Sequence, residues 1–150
     1  MYIECIGTNN TGDAMPQLSH PSTRMRTLRF VLMLAAAHSF ATGVGLILQP
    51  EVVIHWGGWN RITEPFFPAQ GGVFHILMAL LYLEVARREH YRVVLPFIIL
   101  VKATATVFLF TYVLTVETVW LAAISGAVDG SFALILYRLY RGTQLDLENG

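Results

Sequence analysis

The chain is 150 residues long, one domain's worth of sequence. Hydrophobic residues make up 55% and charged residues only 13%, with ten basic side chains balancing ten acidic ones. Soluble domains carry roughly 25% charged residues, so a water-soluble globule is excluded. The neutral balance also excludes nucleic acid, which requires a basic face. Mean hydropathy is +0.54, and lipid is the solvent such a composition suits.

Residues 1–23 are rich in Asn, Thr, Gly, Pro and Ser and read as a loose polar arm. They contain no apolar core of a signal peptide, so the first hydrophobic segment is expected to stay as an anchor. The single cysteine, Cys5, lies in this arm, so no disulfide forms within the chain. Four apolar segments follow, at about 28–48, 66–86, 93–116 and 118–137. Each has the length that crosses a bilayer. None alternates as a membrane β-strand does, and backbone groups in lipid then require helices. Pro96 falls in the first turn of the third segment, where its missing N–H costs little. The predicted fold is all-α: a membrane-spanning up-down four-helix bundle over residues 24–141, followed by a polar tail at 142–150.

The charges orient this bundle. Arg24, Arg26 and Arg29 precede the first segment, Arg87, Arg88 and Arg92 link the second to the third, and Arg138 and Arg141 follow the fourth. Only Arg61 falls on the opposite side. The positive-inside rule therefore sets both termini in the cytoplasm, as in a multi-pass protein of the inner membrane. The long outer connection, 50–65, carries Trp56 and Trp59, whose aromatic rings suit an interfacial belt. A lid or docking loop over the bundle mouth is the alternative for the same residues. The turn near Glu117 is very short and makes the last two helices antiparallel neighbours.

The chemistry sits inside the spans. Lys102 lies nine residues after Val93, and Asp129 nine before Arg138. At 1.5 Å per residue both are about 13–14 Å from the inner edge. Opposite charges at one depth on neighbouring helices point to an ion pair. His38, nine residues after Arg29, falls at the same level, and His75 lies about 4–5 Å further out. Glu84 sits near the inner interface, within reach of water or an arginine. Asp129 shares a stripe with Ala122, Gly126, Gly130 and Ala133, including a GxxxG step, where helix backbones approach closely. His38 lies among Ala35, Ala41, Thr42 and Gly45, and His75 among Gly71, Gly72, Met78 and Ala79. Small residues of this kind mark helix contacts, so these three polar side chains should face inward. The stripe of Lys102 is mixed, with Ala105 and Thr106 but also Ile98, Ile99 and Leu109.

Two uses of this set are open. Lys102 and Asp129 can form a structural brace, costly to break at roughly 3–5 kcal/mol. Alternatively His38, His75, Lys102, Asp129 and Glu84 mark a site for a ligand, a quinone or a proton. A third use takes His38 and His75 as axial haem ligands. No resident cofactor or metal is otherwise predicted. The chain has no HExxH, CxxC, P-loop or GxSxG. Ser125 and Ser131 show no triad spacing, and the pairs Gly57–Gly58 and Gly71–Gly72 lack a phosphate-loop context.

The runs GVGLILQP closing the first segment, GGVFHILMALLYL in the second and DGSFALILYRLYR closing the fourth give the chain a style that resembles the DoxX-like small four-helix membrane proteins. The resemblance implies an inner-membrane bundle associated with a redox or quinone-linked complex, one member being a subunit of a thiosulfate–quinone oxidoreductase. It carries over no catalytic residue. The leading expectation is therefore a membrane protein without catalytic activity of its own, an accessory or scaffold subunit or a homo-oligomer. Its partners would be the bilayer, other membrane subunits or itself. Binding or transport of a lipophilic ligand, quinone or proton at a midplane site is the alternative.

Overall fold

The computed structural model describes residues 23–59, 64–88 and 93–148, with side chains through Gln144. The arm at 1–22, with Cys5, and the arginines at 61 and 92 lie outside these residues. Five helices follow in order: α1 (Thr23–Leu48), α2 (Glu51–Gly57), α3 (Phe66–Arg87), α4 (Leu95–Thr115) and α5 (Trp120–Glu148). The four long ones are each long and apolar enough to cross a membrane. Their outer faces carry Phe30, Phe40, Phe74, Leu100, Phe108 and Leu134, all exposed. Such a surface would be intolerable in water and is what acyl chains solvate. The chain is a multi-pass membrane protein with an all-α bundle.

Every arginine among the described residues lies at one end of the bundle, and all three tryptophans lie at the other. These are called the arginine end and the tryptophan end below.

The helices pack as two tight antiparallel pairs, α1 with α3 and α4 with α5, which meet through α1 and α5. Glycine makes both pairs possible. A Cβ on Gly43 would sit 2.7 Å from the Gly72 carbonyl oxygen, and a Cβ on Gly72 would sit 2.6 Å from the Gly43 oxygen. The α1 and α3 backbones are therefore in direct contact. In the second pair, a Cβ on Gly126 would lie 3.2 Å from Leu109 Cβ, and one on Gly130 3.1 Å from Thr106 Cγ2. The GxxxG step on α5 thus seats α4, as small-residue packing in lipid requires.

At the arginine end the bundle has a dry core of Leu28, Leu32, Ala35, Tyr82, Leu95, Ile98 and Leu136, drawn from all four long helices. Two boundaries move from expectation. The helix α1 begins at Thr23, before Leu28. The helix α5 continues past Tyr137 to Glu148, so 142–148 is helical where a tail was expected. Its end is tied back to α1, since Arg24 Nη1 donates to the Gly142 carbonyl at 2.6 Å.

At the tryptophan end α1 stops at Gln49, whose φ of 44° is left-handed, and Pro50 then bars any continuation. Gln49 Nε2 donates to the Pro65 carbonyl at 3.0 Å, closing the loop that contains α2. The helix α2 ends on Gly58, at φ 93°, a conformation costly for any side chain.

Candidate functional site

Directly above the dry core lies a charged layer. Lys102, from the middle of α4, and Asp129, from the middle of α5, are each 2% exposed. Lys102 Nζ donates to Asp129 Oδ1 at 2.5 Å and to Ser39 Oγ at 3.4 Å. The ammonium also lies 5.3 Å from the Tyr82 ring centroid and 5.6 Å from that of Phe132. Two oxygens and two aromatic faces replace the water that burial removed, which is what keeps a lysine at this depth tolerable. The depth arithmetic from the sequence thus pairs the right two residues, and the mixed stripe of Lys102 turns its ammonium inward.

His38 is at the same level. Its Nδ1 lies 3.9 Å from Asp129 Oδ1, beyond hydrogen-bond reach. This nitrogen is buried and has no hydrogen-bond partner. The imidazole also lies against the Phe132 ring, with centroids 6.0 Å apart and planes tilted by 52°. Glu84 stands apart from this group. It forms an exposed pair with Arg88, Oε2 to Nε 3.0 Å, at the arginine end.

Above the charged layer the bundle opens. A cavity of about 480 Å³ runs toward the tryptophan end, with His38, His75, Ser125 and Asp129 among its walls and Gln49 and Trp59 further up. The rest of its lining is mostly apolar, including Ala41, Leu46, Leu109 and Leu121. Lys102 is not on the wall and stands behind Asp129. Gly45 lines the space with nothing within 4 Å of where its Cβ would be. This volume and mixture match sites for small molecules, apolar with a few polar groups to orient the occupant.

The two outer-loop tryptophans divide. Trp56 is 73% exposed, beside exposed Phe66 and Phe67, as an interfacial anchor should be. Trp59 instead turns back over the bundle and lines the cavity with Val53 and Ile54. A Cβ on Gly57 would strike the Trp59 ring at 2.6 Å, so the Gly57–Gly58 pair is what allows this return.

Two groups absent from the expected set belong to the site. Ser39 is the second oxygen on the ammonium, and its signal was its place on the Leu28–Leu32–Ala35 face, four residues beyond Ala35. Ser125 is on the cavity wall, one helical turn from Asp129. Ser131 is not part of the site, since its exposed hydroxyl donates to the Ala127 carbonyl.

The histidines do not suit a haem held between them. They belong to α1 and α3, which touch backbone to backbone, and a Cβ on Gly43 would already lie 3.2 Å from His75 Cβ. A porphyrin needs those helices held apart. Among the described residues no cluster of three or more His, Cys, Asp or Glu could hold a metal ion.

Compared with protein families, with curated proteins and with solved structures, the chain matches none of them.

Proposed function

We propose that this protein binds a small lipophilic molecule within the bilayer, in the cavity between α1, α3 and α5, and does no chemistry on it. The observation that carries the reading is that Asp129 is at once the partner of Lys102 and part of a cavity wall. A brace alone needs no empty volume beside it, so the accessory-subunit reading accounts for the ion pair and leaves the cavity unexplained. In the binding reading Lys102 serves both ends. It holds Asp129 in one position, and it neutralises the carboxylate so that the cavity floor is polar without net charge.

The dry core closes the arginine end, which favours binding over passage through the bundle. With the arginines in the cytoplasm, the protein sits in the inner membrane with both α1 and α5 beginning or ending there, and the cavity lies toward the outer face. Of the quinone class that the DoxX-like resemblance implies, the reduced, hydroxyl-bearing quinol form belongs to the class this site would take. A scaffold role beside a membrane complex is compatible with a bound ligand.

The test is mass spectrometry of the small molecules extracted with the protein after gentle solubilisation. Wild type is expected to carry a lipophilic compound in about equimolar amount. Gly45→Phe, which fills the cavity from a position free of contacts, is expected to lose it. The same complement of lipids in both proteins would refute the proposal.

A further inference from the structure

The polar groups on the cavity wall also limit what head the occupant can carry, an inference that rests on the binding reading above. Two of them are already used: the Thr42 hydroxyl donates to the His38 carbonyl at 2.9 Å, and the Gln49 amide donates to Pro65. What remains is the second oxygen of Asp129, the Nε2 side of the His38 imidazole, whose Nδ1 is enclosed by protein, the imidazole of His75 and the hydroxyl of Ser125. None of these makes a hydrogen bond to another described residue.

Charge then selects among heads. An anion would find no net charge to attract it, and of the pair only the carboxylate, not the ammonium, reaches the wall, so it would meet the like charge first. A cation would find that carboxylate already neutralised by an ammonium 2.5 Å away, and would be repelled by the same ammonium. A neutral group that both gives and takes a hydrogen bond satisfies the wall at no such cost. We infer that the cavity takes a lipophilic alcohol, whose hydroxyl donates to Asp129, accepts from His38 or Ser125, and leaves its hydrocarbon body among Leu46, Leu121 and Trp59.

A matched series separates this inference from the one beneath it. Wild type and Gly45→Phe, in nanodiscs, are titrated with decanol, decanoate, decylamine and decane at about pH 8, where the acid is ionised and the amine protonated. Binding is read from tryptophan fluorescence and from the thermal midpoint. Decanol is expected to bind wild type at least about tenfold more tightly than the other three, because one hydrogen bond to a charged group is worth about that factor. Gly45→Phe is expected to abolish the difference. Of His38→Phe and Ser125→Ala, the one that removes the accepted bond should weaken decanol about tenfold and leave decane unchanged, and the head-group inference fails if neither does. If decanoate, decylamine or decane binds as well as decanol and Gly45→Phe removes that binding, the head-group inference fails and the cavity reading stands. If nothing binds in a way that Gly45→Phe affects, the cavity reading fails and takes the inference with it.

Discussion

Removing either charge of the Lys102–Asp129 pair should not cost the same, although the pair is one interaction. At 2.5 Å and an effective dielectric of about 20, the gross attraction is about 6–7 kcal/mol. Most of that offsets desolvation, and stripping one partner from a buried pair typically costs about 3–5 kcal/mol. The surroundings differ, however. Lys102 is walled in by α1, Tyr82 and Phe132 and does not reach the cavity, so Asp129→Ala strands an ammonium with only Ser39 at 3.4 Å. Asp129 borders the cavity, so after Lys102→Ala it can be hydrated from that side. Asp129→Ala should therefore sit at the upper end of the range, at about 4–5 kcal/mol, and Lys102→Ala at about 1–3 kcal/mol. Lys102→Met with Asp129→Leu should recover to within about 1–2 kcal/mol of wild type, since neither charge is left alone. Denaturant unfolding in mild detergent, followed by tryptophan fluorescence, measures all four proteins. The reasoning is refuted if Lys102→Ala is the more damaging single change, or if the double variant is no more stable than the worse single one.

Other outcomes follow from the same geometry. Gly72→Val should destabilise by at least about 3 kcal/mol, because its side chain meets the Gly43 carbonyl and α1 rather than a flexible tip; the same unfolding assay checks it. Trp59→Ala should release the bound molecule from the purified protein, whereas Trp56→Ala, on the exposed side of α2, should retain it. Glu84→Gln should shift stability by no more than about 1 kcal/mol, since its pair with Arg88 is exposed. In a Cys5→Ser background, Thr143→Cys should react with an impermeant maleimide only after the inner face is opened, and Glu51→Cys should react from outside in intact cells; the reverse would invert the orientation.

Much of this was legible because lipid leaves a sequence few options. Long apolar runs in a bilayer must be helices, and a fixed rise per residue converts position into depth. That is why Lys102, Asp129 and His38 could be set at one level without coordinates. The stripe of Gly126 and Gly130 likewise announced a close helix contact, and it is α4 that fills it.

What escaped was set by backbone turns and by empty space. Trp56 and Trp59 look alike in sequence, and only the left-handed Gly58 and the bare Gly57 send one outward and the other over the cavity. The cavity itself is an absence between α1, α3 and α5, and no residue type encodes one. Glu84 shares the chemistry of the buried set but stands near the end of α3, where Arg88 is four residues away. The helical end of α5 was hidden because Thr143, Gln144 and Glu148 are polar, yet a helix already formed propagates through residues of that kind at little cost.

The central claim is that the space beside Asp129 is occupied by a lipophilic guest in the working protein. A crystal structure grown from lipid, using protein purified from its own membrane, tests this most directly. The account predicts elongated density in the cavity of about 480 Å³, with one end within hydrogen-bond distance of Asp129 and the other beneath Trp59. A cavity closed by the inward collapse of α1 onto α5, with Asp129 enclosed on every side by protein, would contradict it.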